Sequence, residues 1–195
     1  LEFKAAYDGY LDQRRDHIYV YELHTGTLTQ ITSGNYDDSE PAWSPDGRRV
    51  AFVSNRSADP DTNANSDIWI VDADNDNKGK NLDQVTTNPA ADTSPLWHPD
   101  GKALAYISTK AGVEHNYAIG HLTRVDLASS TTRYLTARLD RAVYKPRFSG
   151  SGKYLYFLIE DSAEQHLTQM EWKTGRIKRI VQDSLRVTDF AVDRK

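Results

Sequence analysis

Residues 41–55 read PAWSPDGRRVAFVSN and residues 95–108 read PLWHPDGKALAYIS, and a fainter version, PRFSGSGKYLYFLI, stands at 146–159. A chain that repeats itself at a fixed interval builds repeated supersecondary units, so this limits the fold before any local preference does. Each copy has two halves. The first is an aromatic, a tight turn and an apolar run: Trp43 then Pro45-Asp46-Gly47, Trp97 then Pro99-Asp100-Gly101, Phe148 then Gly150-Ser151-Gly152. Phe190, in TDFAVDRK, reads as the start of a further copy. The second half is a short strand pattern ending in an acid: IYVYE (18–22), IWIVD (68–72), LTRVD (122–126) and LTQME (167–171). Turn residues follow, then a polar strand ending near Thr: LTQIT (28–32), DQVTT (83–87) and RYLTA (133–137). The last copy, RIKRIV (176–181), lacks the Thr.

The acids Glu22, Asp72, Asp126 and Glu171 lie 50, 54 and 45 residues apart. Units of this length with four short strands each are β-propeller blades, whereas solenoid repeats of similar length are helical. No window here carries an apolar stripe at helical spacing, and Pro, Gly, Asp and β-branched residues dominate. The fold class is therefore all-β, built from four-stranded antiparallel propeller blades. The turn joins a first strand (EPAWS, SPLWH, KPRFS) to a second (RVAFVS, ALAYIS, YLYFLI). The second strands are mostly apolar because neighbouring blades cover both their faces. Trp43, Trp97 and Phe148 are expected to fill equivalent places between blades.

The expected division is a partial blade at 1–38, blades at 39–92, 93–142 and 143–187, and the first strand of a next blade at 188–195. Residues 3–12 (FKAAYDGYLD) belong to an earlier strand of the opening blade in this reading. That makes about four blades, starting and stopping mid-blade, as a piece of a larger propeller would. The open blade edges of such a piece favour self-association.

Composition narrows the chemistry. Of 195 residues none is Cys, which removes disulfides, thiolate metal sites and a cysteine nucleophile. A net charge of −4 gives no basic field for nucleic acid. No stretch approaches the roughly 18 apolar residues of a membrane helix. The start, LEFKAAYDGY, has no signal-peptide pattern, and a cytoplasmic location is the expectation.

SGSGK at 149–153 has Arg147 where a Walker loop needs Gly, and it aligns with SPDGR and HPDGK as a repeat turn. No Ser is flanked by Gly two residues away on both sides, so no nucleophile elbow is present. The histidines His17, His24, His98, His115, His121 and His166 show no metal-motif spacing. His98 takes the slot of Ser44 and reads as a variable turn residue. Residues 59–67 (DPDTNANSD) and 72–76 (DADND) alternate oxygen-bearing side chains, the donors Ca²⁺ favours. Counted from Asp72, the residues Asp74, Asp76 and Asp83 fall at ligand places of a Ca²⁺ loop, but Asn77 stands where Gly is needed and Lys80 at the ninth place. The alternative reading is a pair of Asp- and Asn-rich turns. Arg14-Arg15, Arg48-Arg49 and Lys178-Arg179 read as solvated surface with a few ion pairs. No catalytic, cofactor-binding or metal-ligating residue is assigned, and no cofactor is expected.

YLDQRRDHIYVYEL (10–23), QITSGNYDDSEPAWSPDGRRVAFVSNR (30–56) and SDIWIVDAD (66–74) closely resemble the propeller of prolyl-oligopeptidase-family serine peptidases, of the acylaminoacyl-peptidase or dipeptidyl-aminopeptidase-like branch. The resemblance spans nearly the whole chain and weakens after about residue 145. The Pro-Asp-Gly repeats are also similar to TolB-type propellers. The resemblance implies a parent whose propeller caps a C-terminal α/β-hydrolase domain with a Ser, Asp and His triad. The propeller gates access, so that short or N-blocked peptides reach the serine. The triad motifs have no counterpart here, so the resemblance implies a chain inert by itself, with that hydrolase domain and the parent's peptides as partners. The competing expectation is a TolB-like protein-binding propeller without enzymatic activity.

Overall fold

The computed structural model describes residues 14–109, 119–181 and 185–193; the lead-in at 3–12 and His115 lie outside them. The chain divides into two compact units, Leu1–Thr93 and Ser94–Lys195. In the first unit β1 (Tyr19–Glu22) pairs antiparallel with β2 (Thr27–Gln30). A four-stranded sheet follows in sequence order: β3 (Asp38–Trp43), β4 (Arg49–Ser54), β5 (Asp67–Asp72) and β6 (Asp83–Gln84). The boundary between units falls inside β7 (Asp92–Trp97), which forms a sheet with β8 (Ala103–Ser108), β9 (His121–Asp126) and β10 (Thr131–Tyr134). A third four-stranded sheet holds β11 (Val143–Phe148), β12 (Tyr154–Asp161), β13 (Glu164–Glu171) and β14 (Ile177–Arg179). Each four-stranded sheet is a meander of neighbouring antiparallel strands, the architecture of a propeller blade.

The second strands are buried as the sequence requires. β4 is buried from Val50 to Ser54, and β8 at every residue but Ile107. In the first unit Val50, Phe52 and Val71 pack with Ile18 and Ile31 of the β1–β2 ribbon. In the second, Ala103, Ala105 and Leu122 pack against Leu155, Phe157, Ile159 and Met170. Both cores are thus sheet-on-sheet seams filled by apolar residues from facing strands.

The repeated turn has one geometry in all three copies. Gly47, Gly101 and Gly152 donate their N–H to the carbonyls of Ser44, His98 and Ser149, each at 2.9 Å. Their φ values of 69°, 72° and 71° lie in the left-handed region that Gly enters without cost. SGSGK is therefore a strand-to-strand turn. Three of the four acids that end third strands also have a local duty. Glu22 accepts from the His24 N–H, Asp126 from the Ala128 and Ser129 N–H groups, and Glu171 from the Thr174 hydroxyl.

The repeated Thr after the fourth strand satisfies a buried backbone donor. The Ile18, Ile68 and Leu122 N–H groups each donate to the hydroxyl of Thr32, Thr86 and Thr136 at 2.9 Å. The Ile180 and Val181 N–H groups of the copy without Thr converge on the Leu167 carbonyl as those of Leu135 and Thr136 do on the Leu122 carbonyl.

Three features depart from expectation. Trp97 is buried at 5% exposure, but Trp43 is 52% exposed. The indole of Trp172 packs on Phe148 in the last sheet, and Ala73 takes that place beside Trp43, too small to cover it. Residues 188–193 form no ladder, although the Val187 N–H bonds the Gln165 carbonyl as those of Asp38 and Asp92 bond Asp16 and Ser66. A first strand pairs with the second strand that follows it, and the 195 residues hold none after Val187. Third, Glu40, Ser94 and Lys145, each followed by Pro, have φ of 51°, 56° and 52°. Pro cannot donate to the ladder, and β3 and β11 shift register at this point, which makes a bulge.

The β12–β13 hairpin turns through Ser162 and Ala163 at φ 54° and 64°, a conformation made for Asn-Gly. Ala163→Gly is expected to raise stability by about 1 kcal/mol, read as a higher urea midpoint at unchanged m. Thr136→Val, which strips the Leu122 N–H of its buried acceptor, should cost about 1–3 kcal/mol, while Thr132→Val on exposed β10 should stay within about 0.5 kcal/mol.

Candidate functional site

The residues that carry the family resemblance converge at one end of the first unit, where the strands enter the first sheet. Arg15 is the centre. Its guanidinium grips Asp61 through two bonds of 3.0 and 2.7 Å, reaches Asp37 at 3.1 Å, and its Nε donates to Asn35. Its side chain is only 9% exposed. The hydrogen bonds to Asp61 raise its pKa further, outweighing the opposing effect of burial. Arg15 is therefore an internal clamp and not the solvated surface residue that the basic pair Arg14-Arg15 implies.

Next to it the Asp38 carboxylate is fully buried, taking a 2.6 Å bond from Arg56 and lying 3.1 Å from His17 Nδ1. The Arg56 guanidinium sits over the rings of Tyr36, Trp69 and Phe52 at 4.9, 5.6 and 5.7 Å. A planar cation stacked on aromatics and bonded to a buried carboxylate is a firm anchor, because it meets both charge and shape demands out of water.

The Asp-rich loop 59–67 is closed by amides. Asn55 Nδ2 donates to the Pro60 carbonyl and to Asn63, and Asn63 Nδ2 donates to Ser57 and to the Asp59 carbonyl. Asp67 is taken by Thr86 and Gln84; burial pushes its carboxyl up, with those two hydrogen bonds opposing. In the second Asp-rich stretch the buried Asn75 Oδ1 accepts from the Asn77 and Gly79 N–H groups. Among the described residues no three His, Asp or Glu side chains converge as metal ligands.

In the second unit a different cluster joins the turns of two sheets. His98 Nε2 lies 3.1 Å from the Gly152 carbonyl and Nδ1 lies 2.7 Å from Asp100 Oδ1. The imidazole stacks on Trp172 and meets Phe148 edge-on, while Arg124 covers the Trp172 ring at 4.7 Å. Burial works to raise the Asp100 carboxyl, but the Lys102 N–H and His98 outweigh it and hold it below the usual range. His98 is thus a packing residue between turns, beyond the variable turn position that the sequence implies.

One regularity escapes a reading by motifs. His17, Asp67, His121 and His166 stand at one register position, just before Ile18, Ile68, Leu122 and Leu167. His17 meets Asp38, Asp67 meets Thr86, His121 Nδ1 meets the Thr136 carbonyl, and His166 Nε2 lies 3.4 Å from Glu164. The signal is visible as DHI, SDI, GHL and QHL; His17, Asp67 and His121 link separate segments at sheet entries, whereas His166 meets Glu164 of its own strand. In both clusters the charged groups are engaged by partners within the chain.

The fold is that of β-propeller blades. No family model matches the chain. Over 154 residues it is 31% identical to dipeptidyl-peptidase 5 of Porphyromonas gingivalis, an alignment covering 77% of this chain and 22% of that protein. Among solved structures it is similar to a puromycin-hydrolyzing peptidase of Mycobacterium tuberculosis, with a TM-score of 0.66, 14% identity and coverage of 89% of this chain and 28% of that one. It is also similar to TolB of Acinetobacter baumannii, with a TM-score of 0.64, 18% identity and coverage of 86% and 38%. The chain spans about a fifth of the dipeptidyl-peptidase it matches. These relatives and neighbours fit the propeller domain of a prolyl-oligopeptidase-family peptidase, as the sequence resemblance implies.

Two carboxyls give the pH test. Arg179 and Arg141 hold the Asp161 carboxyl down at about 2. Its folded value lies below its unfolded one, so its contribution to stability is present above about pH 4 and is lost as pH falls toward 2. Asp67 has the opposite sign: its contribution is full below the unfolded value and is lost as pH rises through its folded value. Carboxyl ¹³C titration should place Asp161 lowest and Asp67 above the ordinary carboxylate range.

Proposed function

We propose that this chain is a non-catalytic propeller segment of a serine peptidase, which gates the path of short or N-blocked peptides to an α/β-hydrolase domain elsewhere in the parent. The observation that carries this reading is the 31% identity over 154 residues to a protein named dipeptidyl-peptidase 5. The name of that relative supports short peptides as the substrate class. The structural neighbours among peptidases and the internal bonding of the two polar clusters support a framing role. A blade sheet held by Arg15, Arg56 and Thr bonds is a rigid wall, and a rigid wall restricts what reaches a site by size. The hydrolase domain is the partner this reading requires.

The test has two parts. The 195-residue chain, assayed on dipeptidyl and N-acetyl-aminoacyl chromogenic substrates, should hydrolyse neither. The natural coding frame read past Lys195 should continue into an α/β alternation with a Gly-x-Ser-x-Gly elbow. Hydrolysis by the 195 residues overturns the non-catalytic reading. A frame without a hydrolase domain replaces it with a TolB-like protein-binding propeller.

A further inference from the structure

Two arginines of the second unit stand directly opposite each other, Arg124 on β9 and Arg133 on β10. Opposite residues of an antiparallel pair share a face, with Cβ atoms about 5 Å apart, and like charges placed so repel each other. Ala105 is the partner of Arg124 on the other side, so both arginines project from the face whose apolar residues fill the seam of this unit. They form the rim of that seam.

The two guanidinium groups are held differently. That of Arg124 lies over the Trp172 ring at 4.7 Å, and its counter-charge is Asp126, 3.8 Å away. Asp126 is already committed, because its other oxygen accepts from the Ala128 and Ser129 N–H groups. The Arg133 residue is exposed, and among the described residues no hydrogen bond or ion pair engages its guanidinium. Its Nη2 is 3.7 Å from where a Cβ on Gly175 would stand, so both groups border the turn that follows Trp172.

The surroundings add to the positive field. Lys102, Lys153, Lys173 and Arg176 lie in or beside the turns at this end of the two sheets, where the Leu127 and Trp172 N–H groups bond the Lys102 and Lys153 carbonyls. The acids there are Asp100, Asp126 and Glu171, and each accepts a bond from its own turn. In a chain of net charge −4 this end of the second unit has the opposite sign.

We propose that Arg124 and Arg133 form a binding site for a phosphate group. Two adjacent cations call for more than one negative charge in one compact ligand, and they offer two planar forks of N–H donors. A phosphate group carries about 1.5–2 negative charges at pH 7 and presents three acceptor oxygens, so it bridges two guanidinium groups where a carboxylate satisfies one. The Trp172 ring fixes one fork before the ligand arrives, which lowers the ordering cost of binding. The bound anion also cancels the repulsion within the pair. This assignment rests on the second unit alone and is independent of the peptidase reading.

The test is a titration of the 195-residue chain with inorganic phosphate and with phenyl phosphate at constant low ionic strength, followed by the ¹H–¹⁵N resonances of the arginine Nε groups. Those of Arg124 and Arg133 should move together along one saturating curve, and the thermal midpoint should rise with ligand concentration. Affinity should increase as pH rises through about 6, where the ligand gains its second charge. Arg133→Ala removes a repulsion on an exposed strand, so it should fold, and it should weaken binding at least about tenfold. Arg133→Lys keeps the charge but loses the fork, and should restore only part of the affinity. Arg138→Ala, an equal loss of charge at an exposed position beyond β10, should leave binding within about twofold. Tighter binding of phenyl phosphate supports the site as one for phosphate esters, and tighter binding of inorganic phosphate supports it as one for the free ion. Shifts that do not saturate, equal losses in Arg133→Ala and Arg138→Ala, or acetate binding as tightly as phosphate overturn the proposal.

Discussion

Everything in this protein depends on a strand that has no polar face. β4 and β8 are buried almost throughout, so neither of their sheets is stable with one side open to water. Burying apolar surface contributes about 25 cal/mol per Å², and a sheet apolar on both sides claims that contribution only when another sheet lies on each of them. Repetition of the unit follows directly, since the only neighbour guaranteed to fit such a sheet is another of its kind. The seams of both units are built this way, from Phe52 and Val71 against Ile18 and Ile31, and from Ala105 and Leu122 against Phe157 and Met170.

Polar residues then fix the register that apolar packing leaves loose. A hydroxyl at Thr32, Thr86 or Thr136 accepts the one N–H that the fourth strand cannot reach. The acids Glu22, Asp126 and Glu171 at the ends of third strands take N–H or hydroxyl groups of the next turn. These bonds recur because the backbone leaves the same donors unpaired in every copy, and a buried donor left unpaired costs more than a bond returns. In the last copy, which lacks the Thr, Arg141 and Arg179 hold Asp161 beside a strained hairpin turn.

The residues with the most family-specific spelling turn out to have mechanical duties. RRDH (14–17), YDDSE (36–40) and SNRS (54–57) meet in the Arg15 and Arg56 anchors, where two buried cations are satisfied by Asp37, Asp38 and Asp61. Removing one partner of such a pair leaves a charge without water or counterion, which is why the pattern of residues around each cation is so specific. The alternating oxygens of the Asp-rich loop belong to the same lock, drawn in by Arg15 and stitched by Asn55 and Asn63.

The sequence by itself determined the blade architecture, the strand order within each sheet, the Pro-Asp-Gly turns and the apolar second strands. These follow from periodicity and turn chemistry, which act between residues close in the chain. What the tertiary structure decided is which polar residues meet. That Arg15 is a buried clamp, that His98 lies between two turns, and that His17, Asp67 and His121 meet Asp38, Thr86 and the Thr136 carbonyl are contacts between residues 15 to 54 positions apart, set by the closing of strands and sheets on one another. The exposure of Trp43 was decided in the same way. Its local sequence matches that of buried Trp97, so the difference in exposure is not set by the stretch of chain that carries it.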